Sequence, residues 1–459
     1  MSEQESTLDE FVENETNEVE NKIAPPTELR NLPENWTATR LDDVAEDTDG
    51  SFVDGPFGSN LKADEMFDNG FARIVQLQNI RISEFIDSNH KYISEKKFKQ
   101  LERHGAKPGD LAIAKMAEPV ARACLLPEIE SQYLVVADCI KLTVNRSKHN
   151  SKFVMFALNS TPVWKQAFAR SRGSTRKRIN LTQLKEVQIP SPSLPEQRKI
   201  ATVLHTVDQA IEKTEEIIDR EMRIRKGLHQ KLFRDWSNET NTDPLVGKYP
   251  ADWELKTLSD VVTITDAEHF TPDYVESGIP VLRPGDLTPG PISLENVNKR
   301  VDEDTYQKLI SRHTPSNRDI VYSRSQNFAV ASQVIEDEPF CLGQDMVVIE
   351  PNMLDETFLL HLLNSPIVRN QAVRRSTGST FSRVNLGDIR SYKVPIPSEE
   401  VQQNIAEIIV GVEEQIRVEQ ETQSQLNRLK GALVQDLLSG TVRTTDTNIT
   451  VPDEVAQHG

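Results

Sequence analysis

Residues 189–200 read IPSPSLPEQRKI, and residues 394–405 read VPIPSEEVQQNI, 205 positions later. The offset holds well past these stretches. Gln197, Ile200, Ala201, Val207, Ile211, Leu228, Gln230 and Leu232 recur as the same residue types at Gln402, Ile405, Ala406, Val412, Ile416, Leu433, Gln435 and Leu437. One register kept over such a length marks an internal duplication.

Each copy predicts one long helix. Ser193 is placed to cap the first in a capping box with Glu196, and Ser398 with Glu399 and Glu400 gives the second an acidic first turn suited to the helix dipole. No proline interrupts either body, and Gly440 stands where the second should stop. Apolar positions Leu204, Val207, Ile211, Thr214 and Ile218 alternate steps of three and four, as do Ile405, Ile409, Val412 and Ile416. That spacing is a coiled-coil seam. About forty residues at 1.5 Å each give a rod of roughly 60 Å, long enough to act as a spacer. The seam turns polar at Glu221, Arg225, Glu419 and Gln423, which fits either a partly solvated face or charges that fix register between the rods.

The 459 residues amount to about three domains. No apolar run approaches the length that spans a bilayer, so a soluble, cytoplasmic protein is expected. Cys124, Cys139 and Cys341 lie scattered in apolar surroundings without metal-ligand spacing, which predicts core thiols. The net charge of −18 argues at first sight against nucleic acid, but residues 1–28 hold nine acidic side chains against Lys22, a net of −8. Almost half of the excess therefore sits in one terminal segment.

The chain divides into an acidic, disordered tail (1–31), a first folded domain (32–192), the first long helix (193–236), a polar linker (237–248), a second domain (249–397), the second helix (398–440) and a flexible tail (441–459). The domains are homologous halves: Trp36, Leu41 and Val44 correspond to Trp253, Leu258 and Val261 at an offset of 217, so 217 minus 205, or twelve residues, were gained or lost within the unit. Short strands are expected at 73–77, 110–114 and 135–144, and at 280–283, 319–322 and 346–350; helices are expected at 153–169 and 358–373, sharing Leu-Asn-Ser at 158–160 and 363–365. The fold class is α+β: two homologous α/β domains separated by two long helices. Because a domain's chain ends usually lie close together, the helices should pair as an antiparallel coiled coil in a pseudo-two-fold arrangement.

No phosphate-binding loop, nucleophile elbow, His-x-x-x-His pair or Asn/Asp-Pro-Pro-Tyr/Phe methyltransferase motif occurs. Asp87, Glu95 and Lys97 can be forced into a nuclease triad, but 95–103 reads as a solvated helix. Binding features are stronger. Gly-Ser-Thr occurs at 173–175 and at 378–380, each followed by Arg178 or Arg383 and Asn180 or Asn385. Arg172 and Arg176 join Ser174 and Thr175 in the first loop, and Ser379 and Thr380 take the same places in the second. Hydroxyls and amides donate to phosphate, and Arg forks match phosphate or guanine edges. The bland reading of each loop is a turn with a basic flank; the duplication favours the functional one. In the first domain Gly58, Ser59, Lys62, Arg73, Gln76, Gln78, Asn79 and Lys115 are further candidates, as Gln and Asn suit adenine and Arg or Lys guanine. The second domain offers Arg283, Arg324 and Gln326 but lacks the Gly-Pro-Phe-Gly-Ser of 55–59. Similar scaffolds with different reading residues should recognise different sequences.

On residues 54–59, the loops at 173–180 and 378–385, the repeat at 189–200 and 394–405, and the paired helices, the chain from 32 to 440 resembles the specificity subunit of type I restriction-modification systems. The resemblance implies a subunit without catalysis of its own. It would read a split, asymmetric target in double-stranded DNA, one half per domain, with the helices as ruler and docking surface for two modification (methyltransferase) subunits. S-adenosylmethionine, ATP and Mg would belong to those partners and to ATP-driven restriction subunits, in a complex that methylates adenine and cleaves unmethylated DNA. The competing readings are a coiled-coil scaffold or decoy that binds no DNA, motivated by the −18 charge, and a self-contained nuclease or methyltransferase, disfavoured by the missing motifs.

Overall fold

The computed structural model describes residues 29, 31–56, 60–116, 118–173, 176–233, 239–335, 338–376 and 383–459, with the backbone alone at 229 and 230. They form two compact units. The first comprises the chain up to Lys213 together with Gln423–Gly459, and the second comprises Thr214–Thr422.

In the first unit β1 (Thr37–Arg40) leads into a one-turn helix α1 (Leu41–Val44), and β2 (Phe52–Asp54), β3 (Ala72–Val75) and β4 (Tyr92–Ile93) follow. After α2 (Glu95–Gln100) come β5 (Gly105–Ala106), β6 (Leu111–Ala114), β7 (Ala123–Leu125), β8 (Tyr133–Val135) and β9 (Cys139–Leu142). Two helices, α3 (Ser151–Leu158) and α4 (Thr161–Arg170), then a short α5 (Leu181–Lys185) and β10 (Gln188–Ser191) complete the unit, and α6 (Leu194–Leu232) leaves it. The strands make an antiparallel sheet in the order β2-β9-β6-β7 and a mixed sheet in the order β4-β3-β8-β5, with β3 and β8 parallel. The helix expected over 153–169 is broken in two because Pro162, which supplies no N–H, starts a new helix behind Ser160.

The second unit repeats this plan. It opens with a hairpin of β11 (Thr240–Asp243) and β12 (Gly247–Pro250), then β13 (Glu254–Thr257), β14 (Thr263–Asp266), β15 (Ile279–Leu282), β16 (Gly290–Pro291) and β17 (Arg300–Val301). There follow α7 (Glu303–Leu309), β18 (Ile320–Ser323), β19 (Ala331–Gln333), β20 (Cys341–Leu342), β21 (Met346–Glu350), α8 (Glu356–Asn364), α9 (Pro366–Arg375), α10 (Leu386–Arg390), β22 (Lys393–Ile396) and α11 (Glu399–Ser439). Its sheets run β14-β21-β18-β19-β16 and β17-β15-β20. The stretch expected as a polar linker therefore carries a hairpin, and Val246 and Tyr249 drop into the unit's core beside Phe233 and Trp253.

Each unit is closed by two strands far apart in its sequence: β1 pairs antiparallel with β10, and β13, which follows the opening hairpin, pairs with β22. The repeated motif residues explain themselves here. Gln197 donates to the Pro192 carbonyl at 2.9 Å and accepts from the Asn150 amide at 2.9 Å; Gln402 does the same with Pro397 and Asp355 at 3.1 Å each. The shared Asn of Leu-Asn-Ser makes two bonds to one backbone position, Asn159 to Ala123 and Asn364 to Ala331. These amides satisfy backbone groups that the core would otherwise strand, which is why the positions repeat as Gln and Asn.

Both long helices are shared. The first half of α6 and the last half of α11 pack in the first unit, where Ile200, Ala201 and Leu204 meet Leu437 and Leu438 in one core and Asp208 bridges Lys430 at 2.6 Å. The other halves pack in the second unit, where Leu232 joins Ile405 and Ile409. In each unit the early part of one helix lies against the late part of the other, so the pairing is antiparallel, as expected from the closeness of each domain's chain ends. Of the polar seam residues, Arg225 acts on Glu413 of the facing helix. Burial pushes that carboxyl up, and the arginine partly opposes it. Residues 441–459, expected as a flexible tail, instead pack on the first unit. The Lys199 ammonium donates to the carbonyls of Thr444, Thr445 and Thr447, Val455 enters the core, and α12 (Asp453–Ala456) carries it there. Gly440, at φ +75°, makes the turn, and a Cβ there would lie 2.5 Å from Pro33. Of residues 1–31 only Leu29 and Asn31 are described, and Leu29 is buried. Among the described residues no helix is long and apolar enough to cross a membrane.

Candidate nucleic-acid interface

In the first sheet β9 lies between β2 and β6, with Ile140 opposite both Asp54 and Ile113. The chain ends of β2 and β6 and the start of β9 therefore reach the same edge. There the Lys115 ammonium, only 6% exposed, sits 2.7 Å from the Asp54 carboxylate, and the Lys115 amide donates to the Asp138 carbonyl at 2.9 Å. Gly55 follows Asp54 where a Cβ would come within 2.1 Å of the Val136 backbone, so only glycine permits this approach. On the outer side, Arg178 pairs with Asp138 at 2.9 Å, and the Ile179 amide donates to the Lys115 carbonyl at 2.9 Å. Arg172 and Arg178 exchange both backbone hydrogen bonds, which closes the loop between them, and Asn180 caps α5 by accepting from the Gln183 amide at 2.8 Å.

The second unit builds the same arrangement from different offsets. Val347 of β21 stands opposite both Asp266 and Tyr322. Arg324 places Nη1 2.8 and 3.1 Å from the two Asp266 oxygens, and its amide donates to the Asp345 carbonyl at 2.8 Å. Arg383 pairs with Asp345 at 2.6 Å, and the Val384 amide donates to the Arg324 carbonyl at 3.0 Å. Two carboxylates and two cations, one cation buried and one half exposed, thus stand at the base of each loop.

The other candidates scatter. Exposed are Lys62, Gln78, Arg172, Arg176, Gln326 and Asn385. Gln76 is half-buried and accepts hydrogen bonds from Gln78 and Asn89. Arg283 clasps Asp286 through Nε and Nη2 at 3.1 and 3.0 Å, and the bond raises its already high pKa. Arg73 is a correction: it is 2% exposed, paired with Asp87 at 2.6 Å and stacked on Phe85, and its hydrogen bond holds the Asp87 carboxyl below the usual range. Asn79 is likewise interior, with its amide donating to Ile86 and Ser88 and accepting from Gln76. Lys115, Arg324 and Asn180 also serve the scaffold in the ways just given. Gly58, Ser59, Ser174, Thr175, Ser379 and Thr380 lie outside the described residues.

Asp87, Glu95 and Lys97 have separate partners in Arg73, Lys99 and Glu65 and form no triad. The three cysteines are buried and free, and burial pushes the Cys139 and Cys341 thiols up to about 12. The carboxylates Asp138, Asp266 and Asp345 escaped the sequence reading. Their offsets are 212 (Asp54 to Asp266) and 207 (Asp138 to Asp345), whereas the loop arginines keep 205, so a search at one offset passes over them.

The chain is 24% identical over 448 residues to the type I restriction enzyme MjaIX specificity subunit of Methanocaldococcus jannaschii, covering 92% of this chain and 96% of that one. To the MjaVIII specificity subunit of the same organism it is 24% identical over 297 residues, 62% of this chain and 69% of the other. The crystal structure of the type I restriction-modification system S subunit from M. genitalium shares the fold, with a TM-score of 0.53 over 88% of this chain and 96% of that one at 16% identity. The pattern described as the type I restriction modification DNA specificity domain matches twice, at residues 33–220 and 250–428, and the chain belongs to that family.

Proposed function

We propose that this protein reads a split, asymmetric target in double-stranded DNA, one half per unit, and that the loops at 172–178 and up to Arg383 carry the contacts. The observation that carries the reading is the duplicated loop base: the same Asp, buried cation, Asp and half-exposed Arg recur in both units, while the polar side chains around them differ. A common frame holding different reading residues is what two dissimilar half-sites require.

In this reading the paired helices set the spacing of the half-sites and dock two modification subunits, with restriction subunits completing the complex in the cytoplasm. Methyl transfer and cleavage belong to those partners, along with S-adenosylmethionine, ATP and Mg. The net charge of −18 supports the rival reading of a scaffold or decoy without DNA. Single-molecule sequencing of adenine methylation in cells with and without this gene separates the two. Loss of one bipartite methylated motif, marked on both strands, supports the proposal, and an unchanged methylome overturns it in favour of the rival.

A further inference from the structure

Lys115 and Arg324 occupy equivalent places, yet one is lysine and the other arginine, and each faces an aspartate at the end of the first strand of its sheet. Units that read different half-sites could differ here in either role, so the exchange alone does not decide between reading and tethering; what decides is that both cations are spent on a neighbouring carboxylate. Both side chains are only 6% exposed, and turning either towards a phosphate would strand its aspartate with an uncompensated charge. Through its backbone each also holds the chain on both sides: inward to Asp138 or Asp345, outward to Ile179 or Val384. The outward bond lands one residue after the loop arginine.

We infer that Lys115 and Arg324 are positioning residues, one per unit, that fix the base of each loop and so present Arg178 and Arg383 to DNA without touching it themselves. The inference rests on the DNA-reading proposal. It accounts for a lysine and an arginine serving alike, because a tether needs only a cation of suitable reach.

The test uses the full chain with its modification subunits, a randomised duplex library to select the target, and the selected duplex titrated across salt concentrations. Lys115→Arg and Arg324→Lys should keep the selected target and hold affinity within about threefold. Lys115→Ala should lose about tenfold in discrimination at one half-site and none at the other, with an unchanged salt slope. Arg324→Ala should do the reverse. Because either alanine strands an aspartate, the neutral pair Asp54→Asn with Lys115→Gln serves as the second variant and should show the same half-site loss. A salt slope lowered by about one, with all sequences weakened alike, would make Lys115 a phosphate contact and overturn the inference. Unchanged discrimination in both the single and the paired variant would overturn it as well. Amide exchange without DNA separates this from failure of the DNA reading: Lys115→Ala should speed exchange at Ile179 and not at Val384. Equal protection at Ile179 refutes the tether whatever the library shows, and a wild type that selects no sequence refutes the DNA reading itself.

Discussion

The guanidinium of Arg178 lies 2.9 Å from the carboxylate of Asp138, and the pair recurs as Arg383 and Asp345 at 2.6 Å. Each guanidinium is about half exposed, at 49% and 48%. Ion pairs so open to water contribute about 1 kcal/mol or less, so a base edge can compete for the arginine. Arg178→Ala should weaken binding of the selected duplex about tenfold, through loss of discrimination at one half-site. Together with Arg383→Ala it should abolish specific binding. Asp138→Asn should instead strengthen binding to random duplex, since a negative charge beside the backbone is lost. Anisotropy titrations at several salt concentrations check all three.

Gln197 and Gln402 should matter for folding and not for recognition. Replacing Gln197 by Ala leaves the Asn150 amide and the Pro192 carbonyl buried without partners, a cost of about 2 kcal/mol or more. Gln402→Ala should cost a similar amount through Asp355 and Pro397. Denaturant unfolding should show both losses, with the selected DNA sequence unchanged.

The segment 441–459 should be released by acid. Burial, with Lys152, Arg146 and His205 nearby, pushes the His458 imidazole down to about 4 from an ordinary 6.5. A histidine kept neutral in this way favours the docked segment above pH 6.5, and that contribution is lost progressively as pH falls towards 4. Glu196 acts in the same direction. Burial alone would raise its carboxyl, but hydrogen bonds from Arg443 and Trp36 outweigh this and hold it below the usual 4.5. Its contribution is present above that value and lost below it. Limited proteolysis between pH 7 and 4 should cut 441–459 progressively while sparing the hairpin of β11 and β12, and His458→Gln should flatten the upper part of the profile. The second unit has Val401 where the first has Glu196, and there the Trp253 indole N–H has no acceptor among the described residues.

If the helices set half-site spacing, one heptad inserted into each, after Lys213 and after Thr422, should keep the seam and lengthen the pair by roughly 10 Å. That is about three base pairs at 3.4 Å each. The selected half-sequences should stay the same and the spacer between them should grow; altered half-sequences would sink the idea of a ruler.

Periodicity and duplication made the long helices legible, since a seam at Leu204, Thr214, Ile218, Ile405, Ile409 and Ile416 is a local signal. Five of the six strands expected from the sequence lie within a residue or two of place, β21 to the residue, but 135–144 holds the end of β8 and a separate β9, and strands such as β2, β7, β14 and β19 were not read. What failed depended on distant partners. Glu196 reads locally as half of a capping box with Ser193, yet its oxygens go to Arg443 and Trp36, 247 and 160 positions away. Arg73 and Asn79 look like surface readers until Asp87 and the 86–88 backbone close over them. The 441–459 segment has a tail's composition, and its docking shows in Val455, in Arg443 on Glu196 and in the carbonyls that receive Lys199 and Asn150.

The pairing of Thr37 with Ser191, and of Glu254 with Ile396, brings the two ends of each unit side by side. Heredity can exploit that adjacency. Exchange of the segment between them takes one crossover in each of two short stretches, and what lies between may differ in length, as the twelve-residue difference between the two copies already does. A new specificity can therefore be acquired as a cassette, with the helices left as they were.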